Sequence, residues 1–66
     1  MIKNRFLEIR LARGYKLQKD FADYLGLGQS HYNRYERNLI QPNINQIYMI
    51  LNKLNIGFYE LFYLED

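Results

Sequence analysis

The sequence predicts an all-α fold of five short helices within one domain, residues 1–66. Apolar side chains recur every three or four residues, which fits one face of a helix better than the alternation of a strand. Glycines and the single proline, Pro42, divide the chain into segments of helical length. A chain of 66 residues can also bury only one modest core.

The first two predicted helices cover residues 2–13 and 18–25, and a glycine ends each of them. Ile2, Phe6 and Ile9 lie at helical spacing on the first helix, and Phe21, Ala22 and Leu25 are expected to point inward from the second. Leu7 and Leu11 add a second apolar row to the first helix. That row exceeds what one small helix buries inward, so it is a candidate contact surface.

Three further helices are predicted in the second half of the chain. They cover residues 29–37, the residues from the cap Asn43 to about residue 54, and residues 58–63. Tyr32 and Tyr35 are expected to point inward from the third helix. The fourth helix has one apolar side, formed by Ile44, Ile47, Ile50, Leu51 and Leu54, and the last helix carries Phe58, Leu61 and Phe62. Single segments rich in isoleucine and tyrosine also fit strands, but the spacing of three to four residues favours helices.

The composition excludes several classes of protein. Without cysteine the chain has no disulfide, no cysteine zinc site and no thiol nucleophile. The one histidine, His31, cannot complete a metal site or a catalytic triad, so we expect no enzyme activity, small-molecule substrate, cofactor or metal. No apolar run is long enough to span a bilayer and no signal-peptide pattern is present. These features favour a cytoplasmic protein.

The charged residues are distributed unevenly. Residues 1–53 carry all nine basic and four acidic side chains, a net charge of +5, whereas residues 54–66 carry three acids and no base. A basic body with an acidic end fits a protein that binds a polyanion, but an ordinary solvated surface is the simpler explanation. The charges alone leave both interpretations open.

Residues 18–37 meet each requirement of a helix-turn-helix. The small side chain of Ala22 lets two helices cross closely, and Gly26 tolerates the positive φ angle of a tight turn. Apolar side chains lie where they would lock the two helices together, namely Phe21, Leu25, Leu27, Tyr32 and Tyr35. The second and third helices are therefore predicted to form a helix-turn-helix.

A series of short motifs runs through most of the chain. In order they are Asn4-Arg5, Glu8-Ile9-Arg10, Gln18, Ala22, Leu25-Gly26, Gln29-Ser30, Arg34-Tyr35-Glu36-Arg37, Pro42, Asn55-Ile56 and Glu60-Leu61-Phe62. At this spacing the chain resembles the phage-repressor and Cro-type helix-turn-helix proteins, often called XRE-like. The resemblance implies a lambda-repressor-like fold and a sequence-specific regulator of transcription. Such a regulator binds double-stranded DNA, here expected to be a palindromic operator. A homodimer is expected to occupy the operator and repress transcription.

The sequence departs from the family at three places. The loop from Gly14 to Gln18 is one residue longer, so the usual helix cap before Gln18 is missing. Gly28 stands where serine or threonine commonly caps the third helix, at a cost of roughly a few tenths of a kcal/mol. Asn38 replaces the usual glycine after that helix, which is tolerable because asparagine also adopts the left-handed conformation.

The resemblance implies that the third helix lies in the major groove of DNA with its N-terminal residues facing the bases. The residues pointing away from Tyr32 and Tyr35 are polar and include no acid. The expected base contacts are Gln29, Ser30 and Arg34, with Asn33 and His31 beside them. Arginine pairs with guanine, and glutamine or asparagine with adenine, through two hydrogen bonds. The alternative is a solvated helix face without a ligand.

Other residues are expected to hold the DNA backbone or the recognition helix. Gln18 begins the second helix, where unpaired N–H groups attract a phosphate, and the resemblance implies that it also contacts the third helix. Further expected phosphate contacts are Lys16, Lys19, Arg37 and Asn38. Arg10 and Glu36 are implied to form a structural ion pair between the first and third helices, with a phosphate contact by Arg10 as the alternative.

The C-terminal run is more apolar than one small helix needs. Its expected role is a dimer surface formed by Phe58, Leu61, Phe62 and Leu64, and the alternative is that it closes the core. The aromatic content of 17% likewise fits core packing or base stacking on single strands. The apolar excess also supports a second function, a protein-interaction module such as an antitoxin or anti-repressor.

Overall fold

The computed structural model describes residues 1–66, which form five helices and two short strands. In chain order these are β1 (Ile2–Asn4), α1 (Phe6–Ala12), α2 (Gln18–Leu25), α3 (Gln29–Glu36), α4 (Ile44–Leu54), α5 (Phe58–Leu61) and β2 (Phe62–Leu64). The five predicted helices are confirmed, and the small sheet is an addition to them. None of the helices combines the length and the apolar character needed to cross a bilayer.

The middle three helices begin and end within one residue of their predicted bounds. α2 ends where Gly26 adopts the left-handed conformation, with a φ angle of +74°. The chain leaves α3 through Asn38, whose φ angle is +58°. Asn43 caps α4, because its side chain accepts a hydrogen bond from the backbone N–H of Gln46 at 2.9 Å. Local turn and cap chemistry thus sets these bounds.

The first and last helices are shorter than predicted, and an antiparallel sheet replaces their outer ends. The paired residues are Ile2 with Leu64, Lys3 with Tyr63, and Asn4 with Phe62. The predicted helix bounds of 2–13 and 58–63 are therefore wrong at those ends. A helical turn at a chain end gains little from cooperativity, whereas pairing the two termini satisfies both backbones and encloses Phe62.

One apolar core lies among the helices and β2. Its members are Phe6, Phe21, Ala22, Leu25, Tyr32, Tyr35, Ile50, Leu54, Leu61 and Phe62. Phe6 and Phe21 each meet the ring of Tyr32 edge to face, with ring centroids 5.6 Å apart, which is a favourable aromatic geometry. Core packing is thus confirmed for these rings, whereas Tyr48 and Tyr59 are exposed.

Ile44 lies on the apolar side of α4 but outside the core, because 78% of its surface is exposed. Burial increases along the same face of α4, from Ile44 through the half-buried Ile47 to the buried Ile50 and Leu54. The first turn of α4 therefore extends beyond the core, and helical spacing alone does not reveal where a core ends.

Candidate nucleic-acid interface

A short turn joins α2 to α3 and brings the two helices into contact. Ala22 is fully buried where they meet. Gly26 reverses the chain, and the backbone N–H of Leu27 donates to the carbonyl of Ala22 at 2.9 Å. Leu27 then packs against the core. The helix-turn-helix predicted from residues 18–37 is therefore present.

The outer face of α3 is polar, exposed and free of acids. It carries Gln29, Ser30, His31 and Arg34, and Arg37 follows at the C-cap. None of these side chains takes part in a hydrogen bond or ion pair within the chain. Their donors and acceptors are consequently available to a ligand.

Asn33 and Gln18 are engaged with each other. The side-chain amide of Asn33 donates to Oε1 of Gln18 at 3.1 Å, and Nε2 of Gln18 donates to Oε1 of Glu36 at 3.0 Å. The contact between Gln18 and α3, implied by the resemblance, is thus observed. Asn33 faces α2 and fixes it against α3, so of the five expected base contacts it is the one turned inward. Gln18 keeps one N–H free.

Arg10 and Glu36 form an ion pair between α1 and α3. The guanidinium Nε lies 2.9 Å from Oε2 of Glu36, and only 8% and 7% of the two side chains are exposed. Nη1 of Arg10 also donates to the carbonyls of Tyr15 and Lys16, at 3.0 and 2.7 Å. Arg10 thereby ties α1, the loop before α2 and α3 together, and it is not exposed for a phosphate.

The ion pair perturbs the titration of its members. The hydrogen bond to Glu36 raises the pKa of Arg10. Burial by itself would raise the pKa of Glu36, but the hydrogen bonds to its carboxylate, led by that from Arg10, outweigh burial and lower it below the ordinary value. Burial also raises the pKa of the neighbouring Tyr32 hydroxyl, which has no hydrogen-bond partner of good geometry.

The expected phosphate contacts differ in their placement. Lys16 is exposed in the loop before α2, and Lys19 is exposed on its first turn. Lys19 lies 3.1 Å from Asp23 in a solvated pair, which a phosphate can replace at little cost. Asn38 instead points inward, because its Oδ1 accepts from the backbone N–H of Asn4 at 2.7 Å.

An open cleft of about 390 Å³ lies between the α2–α3 turn, α3, the loop after α3 and the first turn of α4. It is lined by Gly26, Leu27, Gly28, His31, Tyr35, Ile40, Gln41, Asn43 and Gln46. His31 therefore flanks the outer face on one side while Asn33 faces α2 on the other. No group of three or more acidic, histidine or cysteine residues is arranged to hold a metal ion.

Two of the four expected dimer residues lie in the core. Leu61, the last residue of α5, and Phe62, the first residue of β2, are almost completely buried in the core. Their assignment to a dimer surface is wrong for this reason. Phe58 and Leu64 remain accessible, with 41% and 70% of their surfaces exposed.

The sequence does not predict a polar network that lies at the C-terminal end of α3. It joins Asn4 to Tyr35, Asn38 and Gln41 through hydrogen bonds. The helical pattern placed Asn4 inside the first helix, and its real position depends on partners more than 30 residues away. A local signal exists: an asparagine two residues before a helix start can accept from the first helical N–H, as Asn4 does from Phe6.

Comparison with known families agrees with this geometry. A family model described as helix-turn-helix matches residues 7–61. The chain belongs to the Cro/repressor-type helix-turn-helix family. This family binds DNA and is not enzymatic, so DNA is a partner of this helix-turn-helix protein. None of the curated proteins matches the chain, and no solved structure does either.

Proposed function

We propose that this helix-turn-helix protein is a sequence-specific transcriptional repressor that occupies a palindromic operator as a homodimer. The observation that carries the proposal is the outer face of α3, which is exposed, free of acids and not used for hydrogen bonds within the chain. Occupancy of the operator blocks polymerase sterically. The site of action is the cytoplasm, where the DNA of a bacterium, its phages and its mobile elements lies.

The base contacts come from the outer face of α3. Arg34 suits a guanine, whose O6 and N7 accept two hydrogen bonds from one guanidinium, and Gln29 suits an adenine. Ser30 lies between them and His31 flanks them. Each good two-bond pair is worth about 1–3 kcal/mol of discrimination against a wrong base. Asn33 contributes indirectly, through its bond to Gln18.

The phosphate contacts come from the start of α2 and the end of α3. Leu17 is the N-cap residue of α2 and supplies no side-chain acceptor, so the first N–H groups of the helix are free for an anion. Gln18 and Lys19 lie in the first turn of α2, Lys16 lies in the loop before it, and Arg37 is the C-cap residue of α3; all three cations are exposed. Such contacts position the protein on DNA without reading its sequence.

The homodimer is supported by the accessible apolar groups at the C-terminal end, Phe58 and Leu64. Glu60, Glu65 and Asp66 make this end acidic, which suits a surface turned away from DNA. A two-fold dimer places its two recognition helices about 34–36 Å apart, in successive major grooves. The operator then consists of two inverted half-sites.

Selection of bound sequences from a random DNA pool tests the proposal. Run at two salt concentrations, it is expected to return a palindromic consensus, with weaker recovery at the higher salt because phosphate contacts release counterions. A pool without enrichment after several rounds overturns the proposal.

A second function, a protein-interaction module such as an antitoxin or anti-repressor, is favoured by one observation. Leu7 and Leu11 lie on α1 with about half of each side chain exposed. A partner protein that co-purifies in stoichiometric amount, and is lost when both leucines are changed to serine, would support this function. Such a partner without salt-sensitive DNA binding would favour it over the repressor.

A further inference from the structure

Asn4 is the most buried polar residue of the chain, with 5% of its surface exposed. Its side-chain nitrogen donates to the carbonyl of Tyr35 at 2.7 Å and to Oε1 of Gln41 at 2.8 Å. Its side-chain oxygen accepts from the backbone N–H of Phe6 at 3.0 Å. Both amide protons are used, and one side chain joins β1, the start of α1 and the end of α3.

The loop between α3 and α4 contributes two further members of this network, Asn38 and Gln41. Oδ1 of Asn38 accepts from the backbone N–H of Asn4 at 2.7 Å and from the side chain of Gln41 at 2.9 Å. Asn38 holds this position in the left-handed conformation, with a φ angle of +58°. The side chains of Asn38 and Gln41 thus occupy the edge of β1 that β2 leaves open.

The network fixes the end of the recognition helix to the sheet formed by the two chain termini. The carbonyl of Tyr35 lies in the last turn of α3, among groups that a helix cannot satisfy alone. It accepts from the backbone of Asn38 and from the side chain of Asn4. On the other side of α3, Glu36 is held by Arg10. Two buried attachments therefore restrain the same end of the helix.

We propose that Asn4 is a positioning residue for DNA binding, which sets the angle of α3 and the place of the α3–α4 loop through Tyr35, Asn38 and Gln41. The proposal rests on the proposed function. Asn4 is buried and does not touch DNA itself. A side chain that binds a ligand must be held within about 0.5 Å of its productive position. Arg34 and Arg37 lie in the part of the chain that the hydrogen bonds of Asn4 hold in place.

Asn4→Asp is the most selective variant. It preserves the size of the side chain and an acceptor for the N–H of Phe6, but it replaces the donor that meets Tyr35 and Gln41 with an oxygen. Gln41→Ala removes one partner and leaves the bond from Asn4 to Tyr35. Leu51→Ala is the control, because it weakens the half-buried side of α4 without touching the network.

Two measurements separate positioning from simple stabilisation, both at a temperature where circular dichroism shows each variant to be folded. The first is the ratio of affinities for the selected duplex and a scrambled duplex. Loss of folded protein lowers both affinities by the same factor and leaves this ratio unchanged. We expect the ratio to fall about tenfold in Asn4→Asp, less in Gln41→Ala, and not at all in Leu51→Ala.

The second measurement is hydrogen exchange of the backbone amides of Asn38 and Leu39, which needs no DNA. We expect exchange to be at least about tenfold faster in Asn4→Asp than in Leu51→Ala, because the loop loses its support. An unchanged affinity ratio in Asn4→Asp overturns the proposal, even if exchange is faster, because faster exchange alone shows only that Asn4 supports the loop. If the wild-type protein shows no operator preference, the proposed function fails and the exchange alone decides whether Asn4 supports the loop. If Asn4→Asp does not fold, Gln41→Ala decides by the same two criteria.

Discussion

Glu36 is the residue on which the attachment of α3 to α1 and α2 depends. Its carboxylate accepts hydrogen bonds from Arg10 and from Gln18. We expect Glu36→Ala to lower the free energy of unfolding by about 3–5 kcal/mol, because the variant leaves a buried guanidinium without its counter-charge. Urea denaturation followed by circular dichroism measures this loss.

The total stability of a chain this short is only about 3–10 kcal/mol, so Glu36→Gln provides a milder variant that keeps an acceptor. Lys19→Ala is the matched control, since it removes the exposed ion pair with Asp23 and is expected to cost less than about 1 kcal/mol. An unfolding midpoint of Glu36→Ala equal to that of the wild type would show that the pair does not hold the fold together.

The same carboxylate predicts a dependence of stability on pH. Because folding lowers the pKa of Glu36 below its ordinary value of 4.5, its contribution is complete above that pH and is lost as the pH falls through the lower value in the folded state. The free energy of unfolding is therefore expected to fall more steeply below about pH 4.5 in the wild type than in Glu36→Gln. Parallel curves for the two proteins would refute this prediction.

Substitution of Arg34 tests whether this single side chain recognises a base. We expect Arg34→Ala to weaken binding to the preferred operator by about 1–3 kcal/mol and to change binding to random DNA little, because a two-bond contact to guanine is lost. Lys53→Ala, at the C-terminal end of α4, is the control. Equal losses on operator and random DNA would instead make Arg34 a phosphate ligand.

At the scale of elements, the turn between α2 and α3 depends on one backbone conformation. Gly26 has a φ angle of +74° and open space around it, so Gly26→Ala is expected to cost about 1–2 kcal/mol through backbone strain alone. Gly28 has the ordinary φ angle of −66°, and Gly28→Ser is expected to stabilise α3 by roughly a few tenths of a kcal/mol through a new cap. Thermal unfolding of both variants tests this contrast, and a stable Gly26→Ala protein would contradict it.

Two substitutions near the C-terminal end separate the effect on dimer formation from the effect on folding. Leu64→Lys, on the exposed end of β2, is expected to shift a dimer toward monomer in sedimentation velocity without changing stability. Leu61→Ala, in the core, is expected to lower the free energy of unfolding by about 2–5 kcal/mol. A wild-type protein that remains monomeric at high micromolar concentration would count against the dimer.

At the scale of the whole molecule, features encoded by neighbouring residues were predictable from the sequence. Gly26 and Asn43 specify a turn and a cap locally, so the middle helices were found within one residue. The exposed residues of α3 followed from helical periodicity around Tyr32 and Tyr35. The ion pair of Arg10 and Glu36 is predicted only through the family resemblance, because periodicity does not show which charged side chains contact each other.

Features made by distant residues were not predictable in the same way. The strands pair residues about 60 positions apart, and their three-residue length gives too little alternation to recognise. The aromatic residues Phe62 and Tyr63 favour strands by propensity, which was the one available signal. The inward direction of Asn33 and Asn38 depends on partners in α2 and β1, so neighbouring residues in the sequence do not reveal it.

The uneven distribution of charge along the chain can be interpreted once the fold shows where the charged residues lie. Lys19 of α2 and Arg34 of α3 lie at the proposed DNA surface, and three of the seven acids, Glu60, Glu65 and Asp66, make the C-terminal end acidic. The proposed function requires the exposed face of α3 to recognise a DNA sequence.

Fluorescence anisotropy with two labelled duplexes, the selected operator and a scrambled version of equal composition, measures this sequence recognition. At about 150 mM salt the wild-type protein is expected to bind the operator at least about 10³-fold more tightly than the scrambled duplex, with both affinities falling as salt increases. Equal affinity for the two duplexes would contradict sequence recognition by α3.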